Sequence, residues 1–360
     1  MNKLHQPNDL ICNRYYIKKY LAEGGMQQVF EAFDSNLERY VALKTPKNSS
    51  ASIRFKQSAV CSAKVIHPNV ARTLDYFNYE GREYLIEELI IGSDLNEIFL
   101  NNFYYLDPCS VAHIGHLLAK AVSASHRVNV IHRDLKPSNI MIIGGRLLKD
   151  IKVTDFGIAK MVDDELKIFS EDDVESSIAG SKTLVGAIPY MAPEVVLNEA
   201  PVGKYSDIWS IGAILYHLLS GERPFSAQFT KIVVKYYKKE TPPLISNINT
   251  AKQLSSLSQE LMGIIDLCLN YSHNERPTAD QLVLLFSELC YSTAERKFGE
   301  IKYKKSDTSW GFIKNTGNEP DTFYHTEEVY GDQPCFGETV CFSEYPGAPK
   351  SRAFPILRCK

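Results

Sequence analysis

From Tyr15 onward the front of the chain shows short runs rich in β-branched, aromatic and aliphatic residues, broken by glycine and polar turns. Tyr15-Tyr16-Ile17, Val29-Phe30-Glu31-Ala32-Phe33 and Tyr40-Val41-Ala42-Leu43-Lys44 read as strands, and so does Tyr84-Leu85-Ile86-Glu87-Glu88-Leu89. Residues 1–14 read as a loose arm. The pattern then turns helical. Ile53 to Ile66 has helical spacing and stops before His67-Pro68, where a helix should end. Val111 to Val130 predicts a long helix with Ile114, Leu117, Leu118, Ala121 and Val122 on one face. A third, apolar helix opens at Asp207-Ile208-Trp209-Ser210-Ile211-Gly212 and runs through Leu219. After Tyr291 the character changes again. Phe298-Gly299-Glu300-Ile301-Lys302-Tyr303, Ser309-Trp310-Gly311-Phe312-Ile313, Asp321-Thr322-Phe323-Tyr324-His325 and Gly337-Glu338-Thr339-Val340-Cys341-Phe342 are β-like runs separated by turns. The expected layout is a β-rich front, a helical middle and a small β tail.

Composition changes this picture little. A chain of 360 residues suits two or three domains. With 44% hydrophobic residues it can build a sizeable core. The net charge of −3 argues neither for nucleic acid nor for a membrane. No apolar run reaches membrane-spanning length, and the N-terminus lacks a signal-peptide core, so the expected location is cytoplasmic, without membrane contact. Eight cysteines contain no Cys-x-x-Cys pair, so neither zinc nor a disulfide framework is suggested. Cys335 and Cys341, the closest pair, read as buried free thiols.

The candidate chemistry lies in Ile131-His132-Arg133-Asp134-Leu135-Lys136-Pro137-Ser138-Asn139-Ile140, followed by Val153-Thr154-Asp155-Phe156-Gly157. Phosphoryl transfer needs an acceptor for the substrate hydroxyl proton, a cation beside the migrating group, and oxygen ligands for Mg²⁺. Asp134 suits the first task and Lys136 the second. Asn139 and Asp155 suit the third, because Mg²⁺ is a hard cation that takes oxygen donors. These two motifs resemble the catalytic loop and metal motif of the eukaryotic-type (Hanks-type) protein kinases, and Lys136 resembles the serine/threonine branch. The resemblance implies an α+β, bilobal fold over residues 15–291: a small lobe at 15–88 and a large lobe at 89–291. It also implies ATP and Mg²⁺ as cofactors and protein substrates.

In the small lobe, Leu21-Ala22-Glu23-Gly24-Gly25-Met26-Gln27-Gln28-Val29 resembles the glycine-rich phosphate loop of that family. Only the second framework glycine stands, as Gly24; Ala22 and Gln27 occupy the outer two places. By the same resemblance Lys44 would hold the α- and β-phosphates, Val29 and Ala42 would wall the adenine, and Glu88 would lie at the hinge. The helix of residues 53–66 resembles the regulatory helix, but Ser58 stands where the family has a lysine-pairing glutamate, and no Asp or Glu occurs between Asn48 and Ile66. Glu87, at the gatekeeper position, is expensive to bury unpaired, and one reading pairs it with Lys44. The other leaves it solvated.

In the large lobe, residues 158–188 read as an activation loop with an acidic middle. It ends at Gly186-Ala187-Ile188-Pro189-Tyr190-Met191-Ala192-Pro193-Glu194. Thr183 or Ser181 would be phosphorylated and contact Arg133, since a guanidinium pairs well with a phosphate. Ala187 replaces the family's threonine. The resemblance further implies that Asp207 braces the catalytic-loop backbone and that Arg276 pairs with Glu194.

Residues 298–360 resemble a cold-shock domain, a five-stranded OB-type barrel, after a linker at 292–297. The matching positions for single-stranded RNA or DNA are Lys302, Tyr303, Trp310, Phe312, Phe323 and His325. Lys304 replaces a family aromatic. The alternative class is a catalytically weak or inactive pseudokinase acting as scaffold or nucleic-acid adaptor, motivated by Ser58, Ala187 and Gln27. A small-molecule kinase fits less well, because the long loop closing at Ala192-Pro193-Glu194 resembles peptide-substrate kinases.

Overall fold

A computed structural model describes residues 3–23, 27–48, 52–145, 149–156, 186–246, 250–304, 309–317 and 319–360, with the side chains at 52–54, 303 and 304 outside the description. The front builds an antiparallel six-stranded sheet in the order β1-β2-β3-β4-β6-β5. Its strands are β1 (Leu10–Ile11), β2 (Tyr15–Glu23), β3 (Gln27–Asp34), β4 (Arg39–Pro46), β5 (Thr73–Tyr79) and β6 (Arg82–Glu88). Ile17, Phe30, Ala32, Val41, Leu43 and Ile86 fill its core. Helix α1 (Ser52–Lys64) crosses it, seating Phe55 and Ala59 against Leu85.

The N-terminal residues are not a loose arm. Leu10 and Ile11 pair with β2. His5 packs edge-on to Phe30 with ring centroids 5.4 Å apart. The sequence signal failed because a two-residue strand is too short to show a period.

The large lobe is organised on α2 (Pro108–Arg127). Asp107 caps its N-terminus by accepting from the Cys109 and Ser110 amides, and Pro108 sits in the first turn, where a missing N–H costs nothing. Val111, Ile114, Leu118, Ala121 and Val122 bury its apolar face. A small sheet of β7 (Gly92–Asp94), β8 (Ile140–Ile143) and β9 (Asp150–Val153) lies beside it. Then follow α3 (Pro193–Val196), α4 (Lys204–Ser220), α5 (Phe229–Tyr237), α6 (Ser255–Cys268) and α7 (Ala279–Glu288). Trp209 of α4 is fully buried. None of the described helices is long and apolar enough to cross a membrane.

The tail is a closed five-strand barrel: β10 (Arg296–Lys304), β11 (Trp310–Asn315), β12 (Thr322–His325), β14 (Thr339–Tyr345) and β15 (Arg352–Arg358), with a short β13 (Val329–Tyr330) added on β15. The β12–β15 pairing closes it. Ile301, Ile313, Tyr324, Val340, Phe342 and Ile356 fill the interior. The expected linker at 292–297 overlaps the first strand, which begins at Arg296; buried Arg296 is paired rather than solvated. Cys341 is buried as expected, but Cys335 is exposed, since it lies in a turn outside the strands.

The barrel packs on the large lobe. Tyr330, Cys341 and Leu357 belong to the same apolar core as Phe103, Leu106 and Cys109. Arg296 donates to the Asp107 carboxylate and to Ser110 Oγ (2.9 Å), and its Nη1 reaches the Pro355 carbonyl at 3.3 Å. Cys359 bridges to Phe103, and the Lys360 amide donates to the Asn102 carbonyl. The C-terminal end is therefore tied to the segment that leads into α2.

Candidate active site

The lysine and the metal-motif aspartate meet in a buried corner. Lys44 on β4 places Nζ 2.7 Å from Asp155 Oδ1 and 2.7 Å from Glu87 Oε2. Glu87 is thus buried and paired rather than solvated. Burial disfavours the ammonium, but the two carboxylates outweigh it and hold Lys44 charged above the ordinary lysine range. Burial dominates at Glu87 and raises its carboxyl above the usual range. At Asp155 burial is outweighed by the Lys44 charge and hydrogen bond, helped by Gln27, so the carboxyl stays below the usual range.

Gln27 opens β3 and donates from Nε2 to Asp155 Oδ1 at 3.0 Å. Ala22 and Glu23 pair across the hairpin with Val29 and Gln28, and Leu21 is exposed on the same strand. Gly24, Gly25 and Met26 lie outside the described residues. Ala42 is buried opposite Glu31, and Val29 lies opposite Lys44. Glu88 uses its carboxylate on Lys152 Nζ (2.7 Å) and the Arg72 amide (2.8 Å). Ser58, the position without a glutamate, donates instead to the Phe156 carbonyl at 2.8 Å, joined by Ser62 at 3.2 Å.

The catalytic-loop residues converge on Asp134. Lys136 Nζ lies 2.8 and 3.0 Å from its two oxygens, and Asn139 Nδ2 donates to its Oδ2 (3.1 Å) and its carbonyl (2.8 Å). Two donors thus fix the carboxylate. The amide oxygen of Asn139 is the atom left to serve a cation. The loop is stitched to the Asp155 segment: the Thr154 amide donates to the Asn139 carbonyl, and His132 Nε2 donates to the Thr154 carbonyl at 2.9 Å. Asp134 and the Asp155 segment are therefore held on one hydrogen-bonded unit. With Asn139, Asp155 makes a hard-oxygen donor pair, which fits Mg²⁺.

Asp207 holds this unit from below. It accepts from the His132 and Arg133 amides and from His126 Nε2, each at 2.8 Å. Arg133 and Asp155 both sit at positive φ, +70° and +62°. Such strain persists only where surrounding contacts over-determine the backbone. Asp207→Ala is expected to lower stability by about 3 kcal/mol, because three buried donors lose one acceptor. Chemical denaturation measures it. His126 was not singled out from sequence, although a histidine in the last turn of a helix that leads into a candidate loop was the available clue. Arg276 and Glu194 form a bidentate pair at 2.8 Å. Ser181 and Thr183, proposed partners of Arg133, lie outside the described residues.

On the barrel, Trp310 and Phe312 of β11 and Phe323 of β12 make a half-buried aromatic cluster with centroids 5.7–6.2 Å apart. Lys350 lies over Phe312 and Arg352 over Phe323, two cations that the sequence reading missed because they follow the fourth strand. Lys302 pairs with Asp321 at 2.7 Å. His325 is turned to its own loop, accepting from the Glu327 amide at 3.2 Å. The side chain of Tyr303 lies outside the described residues.

Comparison with known proteins agrees with this geometry. The family described as "Protein kinase domain" matches residues 15–284. Serine/threonine-protein kinase PknA of Mycobacterium tuberculosis is 33% identical over 246 residues, which cover 65% of this chain and 53% of that protein. The probable serine/threonine-protein kinase CPE1738 of Clostridium perfringens is 29% identical over 326 residues, 87% of this chain and 42% of that protein. The chain spans about half the length of the curated relatives it matches. A crystal structure of the kinase domain of Mycobacterium tuberculosis PknI shares the fold, with a TM-score of 0.57 at 18% identity over 79% of this chain and 99% of that one. A bilobal fold, a buried lysine–aspartate corner and a matching domain model over three quarters of its length agree: this chain belongs to the protein kinase family.

Proposed function

We propose that this chain is an ATP-dependent serine/threonine protein kinase, formed by residues 15–291, whose C-terminal barrel is of the cold-shock, OB type and binds single-stranded nucleic acid. The observation that carries the kinase reading is the joined set Lys44–Asp155 and Asp134–Lys136–Asn139, held on one hydrogen-bonded unit. Lys44 positions the α- and β-phosphates of ATP. Asp134, fixed by its two donors, orients a substrate Ser or Thr hydroxyl and accepts its proton. Lys136 stands beside that carboxylate to steady the transferring phosphoryl group. Asn139 and Asp155 would hold Mg²⁺, which when bound neutralises phosphate charge. Arg133 with Thr183 or Ser181 remains the proposed activation contact. The test is labelling with γ-labelled ATP and Mg²⁺, followed by phosphoamino-acid analysis. Label on serine or threonine that disappears on chelation of Mg²⁺ supports the reading; nucleotide binding without transfer supports the scaffold. One observation favours that second reading: Gln27 already occupies Asp155 Oδ1.

Nucleic-acid binding is supported by the aromatic cluster flanked by Lys350 and Arg352, because stacking faces beside cations suit bases and phosphates. Trp310→Ala is expected to weaken binding of a pyrimidine-rich single strand by about tenfold, since stacking contributes about 1–3 kcal/mol per base. Fluorescence anisotropy at two salt concentrations checks it. Equal affinity of variant and wild type would remove the cluster from the reading.

A further inference from the structure

We infer that Glu87 is the positioning residue for Lys44, holding the lysine from the sheet so that its placement does not depend on α1. The inference rests on the kinase reading above and concerns how its ATP site is held. In the β4–β6 ladder Ala42 lies opposite Glu87 and Lys44 opposite Leu85. Lys44 and Ala42 are two residues apart and share one face, so Glu87 and Lys44 are diagonal neighbours on that face. The sheet alone delivers the carboxylate to the ammonium, at 2.7 Å, with both side chains buried.

The reason for two carboxylates on one lysine lies in their exposure. The Glu87 side chain is 5% exposed and the Asp155 side chain 25%. Asp155 is the one that can turn toward an incoming cation. A lysine paired with Asp155 alone would have to lose its partner, or compete with the cation for it. With Glu87 in place, Lys44 keeps a buried counter-charge while the Asp155 oxygens are drawn away. Glu87 therefore separates two tasks that would otherwise conflict.

Helix α1 is released from the first of those tasks. Its sequence has no acidic residue. Ser58 and Ser62 reach this corner only through neutral hydroxyls on the Phe156 carbonyl. So α1 anchors the backbone just after Asp155, and the sheet anchors the lysine. A displacement of α1 would move the Asp155–Phe156 segment and leave Lys44 where it is.

The test uses the full chain and ATP with excess Mg²⁺, titrated by calorimetry. Glu87→Met is expected to weaken ATP binding by about tenfold. In steady-state assays the loss falls mainly on KM for ATP. Ser58→Glu in the Glu87→Met background places a carboxylate on α1 near the same corner and is expected to recover part of that affinity. Ser58→Ala alone is expected to leave it within about twofold, because Ser62 still donates to the Phe156 carbonyl and keeps that segment anchored. A purely structural role would lower the melting temperature of Glu87→Met while the folded protein bound ATP like wild type. That result, or unchanged or tighter binding by Glu87→Met, overturns the inference. So would an equal loss in Ser58→Ala. Because the readout is binding, absence of phosphoryl transfer in the wild type would count against the kinase reading and leave the Glu87 comparison to be decided separately.

Discussion

Arg296→Met is expected to destabilise the whole chain, not only the barrel. The guanidinium is the cation that meets Asp107, whose side chain is fully buried. Removing it leaves a carboxylate in the interior whose remaining partners among the described residues are hydrogen-bond donors from Cys109 and Ser110. Breaking a buried pair from one side costs about 3–5 kcal/mol. For a chain of this size that corresponds to a fall in melting temperature on the order of 10 °C. Asp107 also caps α2, and the far end of α2 carries His126, which holds Asp207 beneath the catalytic loop. Barrel, helix and catalytic loop are thus mechanically in series, and the shared core of Phe103, Cys109, Tyr330 and Leu357 makes them one packed body. Scanning calorimetry of the variant should show one transition at lower temperature. A separate early transition for the barrel, with the large lobe unchanged, would show that the two parts are independent. Adding Asp107→Asn to Arg296→Met should recover part of the loss, as a coupled pair requires.

The second large effect is expected at Asp155. Asp155→Asn removes the carboxylate that Lys44 and Gln27 both contact and that forms half of the proposed cation site. Phosphoryl transfer should fall on the order of a thousandfold, the scale seen when a single charge-stabilising group is lost. Lys44 should stay in place, because Glu87 still holds it. The variant should therefore keep a cooperative fold near that of wild type while losing transfer, read by radiolabel incorporation beside a thermal melt. Loss of both together would mean that Asp155 is chiefly a structural anion.

How much of this was legible in the sequence follows from distance along the chain. Asp134, Lys136 and Asn139 lie within one short stretch, so their meeting needs only a local turn, and the motif showed it. Helix and strand periods exposed α1, α2, α4 and four of the barrel strands for the same reason, but not β15, which closes the barrel. The Lys44–Glu87 pair was only half legible: a buried carboxylate needs a partner and the missing acid in α1 left one lysine open, but nothing local decided between a paired and a solvated Glu87. What escaped depends on remote partners. Gln27 and Asp155 are 128 residues apart, and Arg296 and Asp107 are 189 apart. Arg296 sits at the start of a strand where composition alone reads as linker, and nothing nearby signals that it will be buried. Lys350 and Arg352 flank the aromatic cluster only because β15 closes the barrel against β12. The N-terminal residues pack because His5 and Ile11 find Phe30 and β2, contacts without a local period.

The measurement that tests the account most directly is transfer of labelled phosphate from ATP–Mg²⁺ to protein serine and threonine, run in parallel with wild type and Asp134→Ala. Steady incorporation by the wild type is expected. Near-complete loss is expected in the variant, whose Lys44–Glu87–Asp155 corner and ATP binding stay intact. Equal incorporation by both would place the proton acceptor elsewhere. No incorporation by the wild type, with ATP bound, would contradict the catalytic reading and favour a nucleotide-binding scaffold whose Gln27–Asp155 contact keeps the cation site closed.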